Sequence, residues 1–113
     1  MGDYKLEVWQ IAHQVTCAVY RETARFPTSE AYGLTTQLRR SAASIPANIA
    51  EGSGRRGDLE FSRFVRISLG SACELEYHLL LSREVGFLQQ SAFDELTLSS
   101  LGSRVCSRHS IAR

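Results

Sequence analysis

The sequence predicts an all-α protein, a single-domain four-helix bundle with up-down-up-down topology. Apolar residues recur at helical spacing in four segments, approximately residues 4–26, 29–52, 58–85 and 91–106. Short links that contain proline or glycine separate these segments, and no stretch shows the alternation of apolar and polar residues that is typical of a strand. A chain of 113 residues is long enough for one modest core, so we predict one domain over residues 1–113.

The first predicted helix covers residues 4–26. Its apolar side chains share one face of the helix, and its charged and amide side chains lie opposite. The apolar face consists of Val8, Ala12, Val15, Val19 and Phe26, flanked by Leu6, Trp9 and Tyr20. Pro27 follows directly and is expected to end the helix, because proline lacks the backbone N–H that a helix requires.

The second predicted helix covers residues 29–52, with Thr28 or Ser29 as its cap. It carries a bulky stripe of Leu38, Ala42, Ile45 and Ile49 and a small-residue stripe of Ala43, Ala47, Ala50 and Gly54. Pro46 cannot donate the usual helical hydrogen bond, so we expect a kink there. The alternative is a break into two short helices at Ile45, since the residue before proline avoids the helical region.

The middle of this second helix, residues 41–50, carries no charged side chain. A helix in an isolated small bundle normally has one apolar face and charged residues on the others. We therefore expect another subunit to cover this helix, which predicts a homo-oligomer. The candidate interface residues are Ala43, Ala47, Asn48, Ala50 and Glu51. The alternative is an alanine-rich helix whose small face is simply exposed to solvent.

The third predicted helix, residues 58–85, has the most regular pattern. Its apolar positions alternate in steps of four and three residues, which is the period of a bundle seam: Phe61, Val65, Ser68, Ala72, Leu75 and Leu79. The fourth helix, residues 91–106, has the weakest pattern because Gly102 interrupts it. Residues 107–113 are expected to fray.

The sequence offers no recognisable catalytic or metal site, so we predict a protein that is not an enzyme and has no cofactor. A bundle metal site requires a Glu-x-x-His pair, but Glu74 and Glu76 precede His78 by four and two residues. The three cysteines form no Cys-x-x-Cys pair and do not indicate a zinc site.

Residues 52–57, Gly-Ser-Gly-Arg-Arg-Gly, match the dinucleotide-binding fingerprint. A predicted helix rather than a strand precedes them, so we interpret this match as accidental.

The N-terminus has no apolar signal segment, and no apolar run approaches the ~20 residues that cross a bilayer. We expect a cytoplasmic protein without membrane contact.

Positive charge is concentrated around the connection between the second and third helices. Residues 39–66 carry six arginines against three carboxylates, whereas residues 67–95 carry one arginine against five. The six are Arg39, Arg40, Arg55, Arg56, Arg63 and Arg66. Guanidinium groups bind phosphate, and an oligomer would add their fields together, so we predict that they bind RNA or DNA. The alternative is that they pair with nearby carboxylates and that the protein is an adaptor for other proteins.

Three sequence motifs resemble those of a known protein family. They are Gln-Leu-Arg-Arg-Ser-Ala-Ala-Ser-Ile-Pro-Ala-Asn-Ile-Ala-Glu-Gly-Ser-Gly-Arg at 37–55, Glu-Phe-Ser-Arg-Phe at 60–64 and Gly-Ser-Ala-Cys-Glu-Leu-Glu at 70–76. Over roughly residues 4–101 the sequence is similar to the bacterial four-helix-bundle proteins named for the intervening sequences of 23S ribosomal RNA genes. The motifs occur in the order and at the separation of that family.

The resemblance implies a small cytoplasmic protein of four helices that forms ring-shaped homopentamers and has no established enzymatic activity. A related branch, the accessory proteins of diversity-generating retroelements, binds nucleic acid and a reverse transcriptase through a basic surface. RNA, DNA and a reverse transcriptase are therefore the partners that the resemblance implies. That branch is strongly basic, whereas this chain has a net charge of +1, so the resemblance favours the pentamer over the nucleic-acid role. Residues 103–113 depart from the usual leucine-rich final helix of the family.

Overall fold

The computed structural model describes residues 2–99, which form four α-helices and one short 3-10 turn. The elements are α1 (Asp3–Thr23), the 3-10 turn (Thr28–Glu30), α2 (Leu34–Ser53), α3 (Asp58–Glu84) and α4 (Gln90–Ser99). Within this part of the chain there is no strand. The predicted end of the fourth helix, beyond residue 99, lies outside the described residues.

The four helices lie at the corners of a square, and helices on adjacent corners are in contact. Each helix packs against the next one in the chain, and α4 also packs against α1. Among the described helices, the diagonal pairs α1–α3 and α2–α4 have no Cα atoms within 8 Å of each other. Short connections around such a square give an up-down-up-down four-helix bundle, so the predicted all-α fold class is confirmed.

The first helix ends earlier than the sequence predicts, at Thr23 rather than at Phe26. The backbone N–H of Phe26 donates to the carbonyl of Thr23 (3.0 Å), and that of Arg25 donates to Glu22 (3.2 Å). Each of these bonds spans three residues instead of the four of an α-helix, so the α-helix has already ended before Pro27. This agrees with the tendency of the residue before a proline to avoid the helical region.

The second helix begins later than predicted, at Leu34 instead of residue 29. Gly33 has φ −115° and ψ −112°, outside the helical region, and it separates the 3-10 turn from α2. The carboxylate of Glu30 accepts a hydrogen bond from the backbone N–H of Leu34 (3.2 Å). This side chain takes the capping role that we expected of Thr28 or Ser29.

α2 continues without a break through Pro46, which rules out two short helices. Pro46 has no N–H to offer the carbonyl of Ala42, one turn earlier. Thr16 of α1 supplies a donor from the neighbouring helix. Its hydroxyl lies 3.0 Å from the carbonyl oxygen of Ala42 and 3.0 Å from that of Ala12. The single hydroxyl proton of Thr16 is shared between these two carbonyls, so the acceptor that the proline leaves free gains a donor across the α1–α2 contact.

The core lies where the inner faces of the helices meet, and its members are largely those predicted from periodicity. The buried apolar side chains on the helices include Ala12, Val15, Val19, Leu38, Ala42, Ile45, Ile49, Phe64, Ala72, Leu75, Leu79 and Leu96. At the start of α3 burial is greatest at Phe64, which the sequence places beside the predicted seam. Phe64 is buried there, whereas Phe61 and Val65 are only half-buried.

α2 and α3 approach closely near their connection. A Cβ atom added to Gly52 would lie only 2.7 Å from the Cβ atom of Phe64, so no larger residue fits without a shift. The Ser68 hydroxyl donates to the carbonyl of Ile45 (3.1 Å) farther along the same contact. At the opposite end of this helix pair a cleft lies between the two helices.

No helix among residues 2–99 has both the length and the apolar character needed to cross a membrane.

Candidate nucleic-acid interface

The six arginines of the basic segment do not form one cluster. Arg39 and Arg40 lie near the start of α2. The others lie at the α2–α3 connection and in the first turns of α3, and we call them the hairpin-end arginines: Arg55, Arg56, Arg63 and Arg66. At a rise of 1.5 Å per residue, Arg40 lies about 20 Å along the α2 axis from Ser53, where the helix ends shortly before Arg55. All six arginines therefore cannot contribute equally to one contact with a nucleic-acid backbone.

Arg39 is engaged within the protein. Its Nε donates to the hydroxyl of Thr23 (2.8 Å), and its terminal nitrogen donates to the carbonyl of Tyr20 (3.3 Å). The guanidinium carbon also lies 4.6 Å from the centre of the Tyr20 ring. These contacts tie α2 to the end of α1, and they leave less of the guanidinium group for a ligand.

Arg39→Lys is expected to lower the free energy of unfolding by about 1 kcal/mol, because lysine cannot reproduce the hydrogen bond and the ring contact together. Urea unfolding measures the change. Arg40→Lys is the matched control, since Arg40 is an exposed neighbour with no ion pair among residues 2–99. An equal loss in both variants would contradict this role for Arg39.

Two of the hairpin-end arginines already pair with carboxylates. Arg55 lies 2.6 Å from a carboxylate oxygen of Glu51, and Arg63 lies 3.8 Å from one of Glu60. Both guanidinium groups also lie near the ring of Phe64, at 5.4 and 5.1 Å from its centre. Exposed pairs of this kind contribute little to stability. A phosphate can therefore compete for these arginines, but it must displace a carboxylate.

The other two hairpin-end arginines, Arg56 and Arg66, are exposed. Neither forms an ion pair with any described carboxylate. Lys5 adds a positive charge at the same end of the bundle, where its Nζ lies 4.2 Å from the centre of the Phe61 ring. Tyr4, which is 74% exposed, lies on the rim of the groove that Arg66 borders. Exposed cations beside an aromatic ring can bind phosphates and stack on bases without reading their sequence.

The candidate interface residues lie on the outer side of α2 or at its margin. Ala47, Ala50 and Glu51 are exposed, and Ala43 is half-buried. Asn48 is also half-buried, and its amide nitrogen donates to the carbonyl (2.8 Å) and hydroxyl (3.0 Å) of Ser44 one turn earlier. In the single chain the outer side of this uncharged stretch, at Ala47 and Ala50, therefore faces solvent.

The sequence prediction missed an aromatic group on α1. Trp9 stacks on His13 with ring centres 4.9 Å apart, and the His13 ring nitrogen lies 3.6 Å from the thiol of Cys17. Tyr20, 47% exposed, continues along α1. The only signal in the sequence was the one-turn spacing of Trp9, His13 and Cys17, because periodicity assigned Trp9 and Tyr20 merely to the flanks of the core.

The glycines at 52–57 do not form a nucleotide site of the dinucleotide-binding type. Gly52 belongs to α2, and Gly57, with φ 84°, lies in the connection to α3. The fingerprint needs a strand before its first glycine, and a helix stands there instead. In the described part of the chain, no three His, Cys, Asp or Glu side chains come together so as to hold a metal ion.

Comparison with known proteins agrees with the motifs. No curated protein matches the chain. The family described as 23S rRNA-intervening sequence protein matches residues 4–101, which is most of the chain and the region that carries the motifs. The resemblance found in the sequence is confirmed, and the chain belongs to the family of 23S rRNA-intervening sequence proteins.

Proposed function

We propose that this protein is a non-catalytic, homo-oligomeric module of the cytoplasm that binds RNA or DNA through its hairpin-end arginines. The observation that carries the proposal is the state of Arg56 and Arg66. Both are exposed at one end of the bundle, and neither has a carboxylate partner among residues 2–99. Free guanidinium groups of this kind are the usual contacts to nucleic-acid phosphates.

Assembly is the second part of the proposal. Residues 2–99 of a single chain offer few exposed unpaired cations at the hairpin end, so this surface should bind phosphate weakly on its own. A ring, as the family resemblance implies with its pentamer, would repeat these cations around an axis and raise the local potential. The uncharged outer side of α2, with Ala47 and Ala50 exposed, supports a subunit contact there. A reverse transcriptase is the protein partner that the resemblance implies for such an assembly.

A protein adaptor is the second candidate function, and a specific observation favours it. Arg39 is bound to Thr23 and Tyr20, while Arg55 and Arg63 pair with carboxylates one helical turn away. Half of the basic segment is thus committed to contacts inside the chain. If the remaining arginines are merely solvated, the ring would serve protein partners alone.

The salt dependence of RNA binding tests the proposal. Changing Arg56 and Arg66 together to Gln is expected to flatten the plot of log affinity against log salt by about 0.7–0.9 for each lost phosphate contact in every engaged subunit. Gel retardation of a mixed-sequence RNA and of a mixed-sequence DNA, beginning at about 20 mM salt where screening is weak, measures this slope.

The matched control changes Arg55 and Arg63 together to Gln. It alters the net charge by the same amount at the same end of the bundle, but it removes arginines that are already paired. A smaller change in slope is expected for the control. If the wild type retards neither nucleic acid at low salt, the adaptor function is correct. If the two double variants lose affinity equally, Arg56 and Arg66 have no special role.

A further inference from the structure

A groove lined by residues of α1, α2 and α3 opens beside the hairpin-end arginines. Its volume is about 460 Å³, which is within the range of pockets that hold small organic groups. Its lining includes three buried apolar residues, Ile45, Ile49 and Ala72. The remaining apolar lining is half-buried and therefore accessible: Val8, Phe61, Val65 and Leu69. Apolar surface is thus open to a ligand at the end of the bundle where the exposed cations are concentrated.

The charges around this groove favour an anionic ligand. Among the described residues that line it, Arg66 carries a charge and none is a carboxylate. Arg66 is exposed and has no ion pair among residues 2–99. The Nζ of Lys5 lies 4.2 Å from the centre of the Phe61 ring, and Phe61 belongs to the groove wall. Two cations, with no carboxylate in the lining, attract phosphate to the mouth of the groove.

Tyr4 adds an aromatic ring to the rim of the groove. It is 74% exposed although it contributes to the lining. An aromatic ring that is open to solvent beside apolar surface can stack on a nucleobase. In a duplex the bases stack on one another, so a side chain reaches only their edges and the backbone. In a single strand the faces of the bases are free, and Tyr4 can bind one of them.

We propose that the hairpin end binds single-stranded nucleic acid in preference to a duplex. One unpaired base stacks on Tyr4 and packs against the apolar wall of the groove, while Arg66 and Lys5 contact the neighbouring phosphates. The preference rests on the proposed nucleic-acid binding and adds the form of nucleic acid that is bound. Tyr4 distinguishes the two forms, because contacts to phosphate alone do not favour a single strand.

Binding of a labelled DNA strand, alone and annealed to its complement, tests the preference. The strand has a mixed sequence chosen to exclude internal pairing. A duplex has the higher charge density, so purely electrostatic binding favours the duplex. Fluorescence anisotropy at about 20 mM salt, where screening is weak, gives both dissociation constants. The single strand is expected to bind at least about fivefold more tightly than the duplex, because only its bases can stack on Tyr4.

Tyr4→Leu removes the aromatic ring and keeps an apolar side chain. It should weaken binding of the single strand by at least about fivefold and leave duplex binding within about twofold of the wild type. Tyr4→Phe keeps the ring and should retain the preference. Circular dichroism and size-exclusion chromatography establish that each variant keeps the fold and the mass of the wild type.

Tyr32→Leu is the matched control for Tyr4→Leu. Tyr32 is 99% exposed and lies shortly before α2, at the opposite end of that helix from the hairpin. Its replacement should change neither affinity. Equal losses in Tyr4→Leu and Tyr32→Leu would overturn the proposal, because the effect would then not belong to the groove.

The wild type separates failure of the preference from failure of the proposed function. Equal affinity for the single strand and the duplex, or tighter binding of the duplex, would overturn the preference and leave nucleic-acid binding intact. If the wild type binds neither form at low salt, nucleic-acid binding itself is refuted and the preference with it.

Discussion

Ala47→Arg is expected to convert the proposed oligomer into monomers. Ala47 lies in the middle of the uncharged stretch of α2 and is exposed in the single chain. If a neighbouring subunit covers it, the new guanidinium group would be buried without a partner, at a cost of several kcal/mol per contact. Light scattering coupled to size exclusion at micromolar concentration measures the mass of both proteins.

Ala24→Arg serves as the control for this experiment, because Ala24 is an exposed alanine at the end of α1. It should leave the mass of the oligomer unchanged. Both variants should keep the helical circular dichroism of the wild type, since neither position is buried in the single chain. A wild type that is monomeric at micromolar concentration would refute the proposed assembly. An Ala47→Arg variant that remains oligomeric would place the interface elsewhere.

Thr16→Val is expected to lower the free energy of unfolding by about 2 kcal/mol. Valine keeps the shape of threonine but removes the hydroxyl, which leaves the carbonyl of Ala42 without a donor. Thr16→Ser retains the hydroxyl and should be less harmful. Urea unfolding at a protein concentration that keeps the oligomeric state constant measures both changes.

A double-mutant cycle with Pro46→Ala tests whether the Thr16 hydroxyl stabilises the protein by donating to the carbonyl of Ala42. Alanine at this position restores the N–H that can donate to the carbonyl of Ala42, so the Thr16 hydroxyl becomes dispensable. Thr16→Val should then be less costly in the Pro46→Ala background, with a coupling energy of about 1 kcal/mol or more. Strictly additive effects would show that Thr16 acts through packing alone.

The fold was predictable because each helix carries its own periodic signal. Leu38, Ile45 and Ile49 are spaced for one face of α2, and all three are buried. Leu75 and Leu79 on α3 are likewise spaced for one face of their helix, and both are buried. Such spacing depends only on the geometry of the helix, so it can be read from a single sequence.

The features that escaped prediction depend on contacts between distant parts of the chain or on details of local capping. The sequence favours Thr28 or Ser29 as the cap of the second helix, but Glu30 caps it from the 3-10 turn. A count of charges treats Arg39 and Arg56 alike, although only the first is bound to Thr23 and Tyr20. Spacing alone cannot distinguish a paired guanidinium group from a free one.

His78 is another residue whose surroundings could not be predicted from the sequence. From the sequence it is considered only as a metal ligand, whereas in the structure it lies largely buried. Its Nδ1 is buried without a hydrogen-bond partner, and residue spacing gives no sign of this. Such burial could therefore be found only from the arrangement of the helices.

The contact between Thr16 and the Ala42 carbonyl also bears on the order in which the chain assembles during synthesis. Because of Pro46, α2 cannot complete its own hydrogen bonding, so it is less stable alone than its length suggests. α1 leaves the ribosome before α2, so Thr16 is already available when Ala42 emerges. The closely packed α2–α3 contact at Gly52 must wait until Phe64 has been synthesised. Vectorial synthesis therefore favours docking of α2 onto α1 first, with α3 then added to a preformed pair.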